Sequence, residues 1–344
     1  MTRGTSILIE LYSSLLGGHL VRISRIFVWI IGSVLALAIP AAASPFTYIT
    51  IDVPGAVQTS VSGISNAGVA VGFYEDSAGN EHGFERLVDG TLIYPIDDPK
   101  GVIGTSTLTY LYGINNAGTI LGSGGVISAD PFTLSGGVFT TYQIPGAFRT
   151  VLGDINDQGD FVGYYETNSV DHGFLQHGSD APLTIDVPGS IYTVAFGINS
   201  PGDIVGGYRL ADNVLHGFIR HPDGTFTTVD FPGAVSPGLF SINDSGVVIG
   251  CCSVDLSGKW FYGTPGNLVE FNIPGMDFSG LAAINNAGQF AGSYAGSDRV
   301  THGFIGSYSD VPEPASGVLL VVGLAALPAS RVKRTNDASP KQRG

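Results

Sequence analysis

Basic side chains and cysteines are scarce in this chain. Its 344 residues hold 15 lysines and arginines against 29 aspartates and glutamates, and only two cysteines. An acidic protein is a poor partner for nucleic acid, whose phosphates require a basic surface. Two neighbouring cysteines exclude a disulfide framework. Cys251 and Cys252 could form a strained vicinal disulfide or remain buried thiols on opposite faces of one strand.

Local catalytic motifs are also missing. The chain contains no G-x-S-x-G nucleophile elbow, no phosphate-binding loop and no H-E-x-x-H zinc motif. No stretch between the two ends has a helical period, which excludes a helical repeat. We therefore predict no catalytic residue, no cofactor and no resident metal.

One sequence unit recurs six times. Its cleanest copy, residues 197–232, reads GINSPGDIVGGYRLADNVLHGFIRHPDGTFTTVDFP. The isoleucine of a G-I-N motif recurs at spacings of 50, 41, 43, 44 and 42 residues, at Ile64, Ile114, Ile155, Ile198, Ile242 and Ile284. A proline recurs at spacings of 45, 46, 43, 44 and 42, at Pro54, Pro99, Pro145, Pro188, Pro232 and Pro274. A fixed period near forty residues is typical of propellers and solenoids.

Each unit has the pattern of four short strands separated by turns, which matches one propeller blade. The array begins with a single strand over residues 46–53, which has the pattern of the fourth strand of a unit, and it ends with only the first three strands of a unit. The first strand would therefore complete the last blade and close the ring. We predict an all-β, six-bladed β-propeller of four-stranded blades over residues 44–310, with a β-solenoid as the alternative.

Histidine and aspartate recur within the units. An H-G-F motif supplies His82, His172, His216 and His302, and the position two before the repeat proline supplies Asp52, Asp97, Asp186 and Asp230. Histidines on different blades are too far apart to share a metal, whose ligands lie at about 2.1 Å. We interpret the histidines as structural residues that bond backbone groups, and the aspartates as caps of the interblade turn. Alternatively, the acids ring the channel mouth and favour a cation.

One further segment has the pattern of a metal site. Residues 154–160 resemble the start of a calcium loop, with several side-chain oxygens and a glycine in the sixth place. The same place in the other units is an ordinary hairpin turn, so we interpret this copy as a turn too. His177 and His221 follow the third strand and are expected at the surface.

The N-terminus has the pattern of a secretory signal. Arg22 and Arg25 precede an apolar run over residues 26–39. A small-residue cleavage site follows at Ala41, Ala43 and Ser44. We predict a signal helix within residues 1–43, removed by signal peptidase, with an uncleaved anchor as the alternative. Residues 1–20 are long for a signal's leader, so we hypothesise that translation starts near Val21.

The C-terminus carries a Pro-Glu-Pro motif, an apolar run and a basic cluster, at Pro312, Glu313, Pro314, residues 315–330, Arg331, Lys333 and Arg334. In this order residues 311–334 resemble the PEP-CTERM sorting signal of exported bacterial proteins. The resemblance implies a transmembrane helix, cleavage near the motif by an exosortase, and a cytoplasmic tail over residues 335–344. The basic cluster would stay on the cytoplasmic side of the membrane. A plain membrane anchor is the alternative.

The repeats resemble the extracellular HAF family, whose motif this chain writes H-G-F, over most of residues 46–307. The two resemblances imply an exported protein of the cell surface or extracellular matrix, transiently anchored by its C-terminus. Exosortase systems tend to accompany exopolysaccharide production, so polysaccharide is the implied partner. We expect a non-enzymatic binding or structural propeller. The alternative is a polysaccharide hydrolase or lyase that uses the repeat aspartates as general acid and base.

Overall fold

The computed structural model describes residues 46–103, 106–125, 130–231, 237–252, 259–271, 273 and 278–308. Within these ranges six sheets have four strands each and one small hairpin has two. The described chain contains strands and turns but no helix, as the lack of a helical period indicates. The prediction of a six-bladed, all-β propeller is confirmed.

Five blades are built from consecutive strands, each antiparallel to the next. Blade 1 comprises β2 (Gln58–Ile64), β3 (Ala70–Glu75), β4 (Glu81–Arg86) and β5 (Leu92–Ile96). The hairpin β6 (Val102–Ile103) and β7 (Ser106–Thr107) precedes blade 2, which comprises β8 (Thr109–Ile114), β9 (Ile120–Gly124), β10 (Asp130–Ser135) and β11 (Val138–Thr141). Blade 3 comprises β12 (Arg149–Ile155), β13 (Phe161–Thr167), β14 (Val170–Gln176) and β15 (Leu183–Ile185).

Blade 4 comprises β16 (Tyr192–Ile198), β17 (Ile204–Arg209), β18 (Leu215–Arg220) and β19 (Phe226–Thr228). Blade 5 comprises β20 (Pro237–Ile242), β21 (Val248–Cys252), β22 (Lys259–Thr264) and β23 (Asn267–Phe271). Blade 6 takes three strands from the end of the array, β24 (Phe278–Ile284), β25 (Phe290–Ala295) and β26 (Thr301–Tyr308), and the fourth from the beginning, β1 (Phe46–Ile51). The predicted closure by the N-terminal strand is therefore confirmed.

A glycine faces a phenylalanine across the second and third strands of every blade. The pairs are Gly72–Phe84, Gly122–Phe132, Gly163–Phe174, Gly206–Phe218, Gly250–Phe261 and Gly292–Phe304. The six phenylalanines are almost fully buried. A Cβ on Gly206 would lie 2.9 Å from a ring carbon of Phe218. The absent side chain therefore leaves the space that the ring fills, which explains both the F of H-G-F and the glycine opposite it.

The two ends of the chain lie outside the described residues. These are the predicted signal segment 1–43, the sorting segment 311–334 and the tail 335–344. No helix in the described ranges is long and apolar enough to cross a membrane.

Candidate functional site

The first strand of each blade lines the axis of the propeller. Each of these six strands contacts the first strands of both neighbouring blades. Every first strand ends in the isoleucine of the G-I-N motif, and the residue after it starts a turn. The side chains that reach the axis therefore come from equivalent positions in six repeats, so that differences between the copies shape the centre.

A ring of asparagine amides joins the blades around the axis. The side-chain nitrogen of Asn199 donates to the carbonyl of Asn243 at 3.2 Å, and its side-chain oxygen accepts the backbone N–H of Asp203 at 2.7 Å. Asn115, Asn156, Asn243 and Asn285 donate in the same way to the next blade. Blade 1 carries Ser65 at this position, and its carbonyl accepts from Asn285 at 3.1 Å. The N of G-I-N therefore caps its own turn and fastens the neighbouring blade.

A β-bulge precedes the G-I-N isoleucine in every blade. It leaves one residue of the first strand unpaired in five blades and two, Gly153 and Asp154, in blade 3. The first unpaired residue of each blade lines one axial cavity of about 390 Å³; these residues are Ser62, Tyr112, Gly153, Phe196, Phe240 and Ala282. Tyr164 and Trp260, from the second strand of blade 3 and the third strand of blade 5, complete its wall. We call it the aromatic cavity.

Four of its rings form a continuous arc. Tyr164 meets Phe196 edge to face at 6.1 Å between centroids, and Phe196 stacks on Phe240 at 5.2 Å. Phe240 in turn lies 5.5 Å from Trp260. Each ring is only partly buried. The rest of the wall carries a fifth ring, that of Tyr112, and small side chains that include Ser62 and Ala282.

Asp154 lies at the floor of the aromatic cavity. It also lines a second axial cavity of about 40 Å³, which is bounded by the asparagine ring. One carboxylate oxygen accepts the backbone N–H of Ile155 at 2.8 Å. A Cβ on Gly113 would lie 2.8 Å from the same oxygen, so the carboxyl lies against this glycine of the preceding blade. Burial raises the pKa of Asp154 to about 7, although its hydrogen bond opposes the shift. The exposed part of this side chain faces the axial cavities.

The four predicted histidines and four predicted aspartates pair with one another. Nδ1 to carboxylate distances are 2.8 to 3.0 Å in the pairs His82–Asp97, His172–Asp186, His216–Asp230 and His302–Asp52. A tyrosine ring lies against each imidazole at 5.2 to 5.5 Å, from Tyr74, Tyr165, Tyr208 and Tyr294. The histidines bond carboxylates, and the expectation of backbone partners is corrected, because strand pairing already occupies the nearby backbone groups.

These pairs join the third strand of a blade to the end of its fourth strand, on the outer side. None of the four aspartates lines either axial cavity. The structure therefore does not place these acids at the channel mouth. The same residues were the candidates for a hydrolase, and each lies on a different blade.

The other predicted positions are ordinary parts of the fold or lie outside what is described. In residues 154–160 the side-chain oxygen of Asn156 accepts the backbone N–H groups of Gln158 and Asp160, which is a capped hairpin turn. His177 and His221 bond Asp160 and Asp203 at the surface, at 2.7 and 2.8 Å. The side chain of Cys252 lies outside the described residues, so the vicinal disulfide stays a prediction.

Sequence reasoning did not single out the aromatic cavity. A bulge breaks the period of two, and nothing in the local sequence indicates that Tyr112, Phe196 and Phe240 turn towards the axis. The signal for Asp154 was present. The equivalent positions in the other five units are Gly63, Gly113, Gly197, Ser241 and Ala283, so one copy places a carboxyl where the others have no side chain or a small one.

Neither a protein-family model nor a curated protein sequence matches the chain. Solved structures of similar shape include the Aleuria aurantia lectin in complex with Fucα1-6GlcNAc, at 13% identity, TM-score 0.45, and 78% and 99% coverage of this chain and that chain. TolB from Acinetobacter baumannii is 10% identical, with a TM-score of 0.46, and the match covers 74% of this chain and 65% of TolB. The propeller domain of the Trilobed protease from Pyrococcus furiosus is 9% identical, with a TM-score of 0.45, and the match covers 76% of this chain and 98% of that domain. Likenesses at this level carry no argument about ligand or activity.

Proposed function

We propose that this protein is an exported propeller that binds carbohydrate of the cell surface or extracellular matrix in the aromatic cavity. The observation that carries the proposal is the arc of four partly exposed rings beside the carboxyl of Asp154, which lines the same cavity. Partly exposed aromatic rings grouped around one cavity are typical of ligand-binding sites.

A saccharide has groups that suit both the aromatic arc and the polar floor of the cavity. The C–H faces of a pyranose ring can pack on the aromatic arc, and its hydroxyls can bond the polar groups at the floor. A volume of about 390 Å³ lies in the range of small-ligand sites, about 300 to 1,000 Å³. Hydrolysis would require two carboxylates about 5 to 10 Å apart around a cleft, and the described lining of the cavity contains one, Asp154. We therefore propose binding without catalysis.

Removing an aromatic side chain from the arc should weaken saccharide binding. We expect Trp260→Ala and Phe196→Ala to lose at least tenfold in affinity, or about 1.4 kcal/mol, because each removes a stacking surface. The measurement is binding of the full chain to an array of neutral, N-acetylated, amino and acidic oligosaccharides, followed by calorimetry on the class that binds. The matched control is Phe148→Ala, since Phe148 is 84% exposed and lies outside the cavity.

Thermal unfolding of each variant separates lost binding from lost folding. If no saccharide class binds, or if Trp260→Ala and Phe196→Ala bind as tightly as Phe148→Ala, the proposal is wrong.

Export and sorting form the second part of the proposal. The signal-like N-terminus and the PEP-CTERM-like segment support it. We expect intact-mass analysis of protein recovered from the native cell surface and medium to find a chain that begins at Ser44 and ends near Pro314. A chain that still carries residues 331–344 would mean that the C-terminal segment is a plain anchor. A chain that still carries residues 26–39 would contradict cleavage by signal peptidase.

A further inference from the structure

Asp154 brings an uncompensated negative charge to the floor of the aromatic cavity. No lysine, arginine or histidine is among the described residues that line the cavity. The guanidinium of Arg149 lies over the Tyr164 ring, 5.4 Å from its centroid, and pairs with Asp171 at 3.2 Å and with Glu166 at 3.7 Å. A buried carboxylate without a cation costs folding free energy, so this site favours an arriving positive charge.

The fold does not need this acid. Five equivalent positions are glycine, serine or alanine, and their blades form the same turn. Their bulge leaves one residue unpaired, whereas in blade 3 Asp154 is itself unpaired. Among the described residues, the hydrogen-bond donor to Asp154 is the backbone N–H of Ile155, the next residue in the chain. A costly group in a cavity, without a structural role, is typical of a binding site.

The aromatic arc adds to the same preference. The negative face of an aromatic ring attracts a cation within about 6 Å, most strongly for tryptophan. An ammonium group held between Asp154 and the rings would gain from both, whereas an N-acetyl group would gain little from the carboxylate and a carboxylated sugar would be repelled.

We propose that Asp154 makes the aromatic cavity selective for saccharides that carry a free, protonated amino group. This inference rests on the proposed function and names its ligand class. The ammonium group would pair with the carboxylate while the pyranose ring packs on the aromatic arc.

The selectivity should depend on pH. The other titratable groups around Asp154 are the tyrosines of the cavity, Tyr112 on β8 and Tyr164 on β13, and the carboxylates beyond the asparagine ring, Asp157 and Asp244. Burial raises the pKa of Tyr164, so this phenol stays neutral. As the pH falls below the raised pKa of Asp154, the carboxyl becomes protonated and the ammonium loses its partner. The amino groups of an amino sugar lose their protons near neutral pH, as α-amino groups do at about pH 7.7 to 8.0 or lower. Amine binding should therefore be strongest near pH 7 and weaken as the pH falls to 5.5, where the carboxyl is protonated.

The test compares a trimer of glucosamine with its N-acetylated form, on the full chain, by calorimetry at about pH 7, where both Asp154 and the amino groups are partly charged. The β-1,4 trimer of glucosamine should bind at least tenfold more tightly than the trimer of N-acetylglucosamine. In Asp154→Asn, which retains the acceptor for Ile155, the ratio should fall to within twofold. Asp154→Ser, which copies Ser241 of blade 5, should give the same result. The control is Asp157→Asn, which removes a charge outside the aromatic cavity at a position where three units carry asparagine, and it should keep the tenfold ratio.

The outcomes separate the two proposals. If both trimers bind equally in the wild type, amine selectivity is overturned and saccharide binding stands. If Asp157→Asn loses the ratio as fully as Asp154→Asn, the preference comes from the general charge of an acidic protein and the role of Asp154 is overturned. If neither trimer binds and no other saccharide on the array binds, both proposals fail. A tenfold ratio that only the Asp154 variants remove supports the inference.

Discussion

Gly206→Ala is expected to destabilise the propeller by at least about 3 kcal/mol, the upper range for overpacking a core. The new Cβ would overlap the backbone carbonyl of Val194 in the adjacent strand and lie 2.9 Å from the Phe218 ring. A carbonyl held in a sheet ladder has no room to move, and Phe218 is fully buried. Chemical denaturation followed by circular dichroism measures the loss.

The neighbouring glycine supplies the control. A Cβ on Gly207 meets nothing closer than the flexible end of Leu215, at 3.2 Å. The equivalent position is Phe73 in blade 1 and Tyr164 in blade 3. Gly207→Ala should therefore be neutral or stabilise by about 0.5 to 1 kcal/mol. Equal effects of the two alanines would mean that glycine's general flexibility, and not the packing of Phe218, explains Gly206.

The repeat made the fold predictable. Because the same pattern occurs six times, the assignment of strands and turns does not depend on any one ambiguous stretch. The extra strand at the start, which has the pattern of a fourth strand, predicted a closed ring. The core pair of Gly206 and Phe218 is readable in retrospect, since both residues recur in all six units. Residues that recur in all six units are those that the packing of every blade requires.

The candidate site could not be predicted in the same way. A site on the axis comes from the differences between the copies, such as Phe196 beside Gly153 or Asp154 beside Gly113. Its geometry also depends on a bulge that the alternation of side chains does not reveal. The histidines and aspartates were the more visible pattern, and they proved to be outer pairs that accompany a tyrosine. Blades 2 and 5 lack the histidine, the tyrosine and the aspartate together, as expected of one packing unit.

Deleting residues 46–53 is expected to abolish cooperative unfolding of the propeller. β1 pairs with β26 along its whole length, from Phe46–Tyr308 to Ile51–Gly303. Ile51 and Val53 are 3% and 2% exposed, and the Phe46 ring contacts Phe271 and Phe304. Burial of each such side chain contributes about 1.5 to 3 kcal/mol. Together with the ladder hydrogen bonds, this is comparable to the whole stability of a domain, about 5 to 15 kcal/mol.

A peptide tests whether the loss is specific. If β1 acts as the closing strand, a synthetic peptide of residues 46–53 added to the deleted chain should restore a cooperative thermal transition, because strand addition to an open edge needs no covalent link. Ile49→Thr is the control within the strand, since Ile49 is 49% exposed, and it should change stability by no more than about 0.5 kcal/mol. A deleted chain that unfolds at the temperature of the intact chain would show that the other three strands hold blade 6 without β1. In that case the hydrogen bond from Asn285 to the Ser65 carbonyl, together with the contacts between neighbouring first strands, would be what closes the ring.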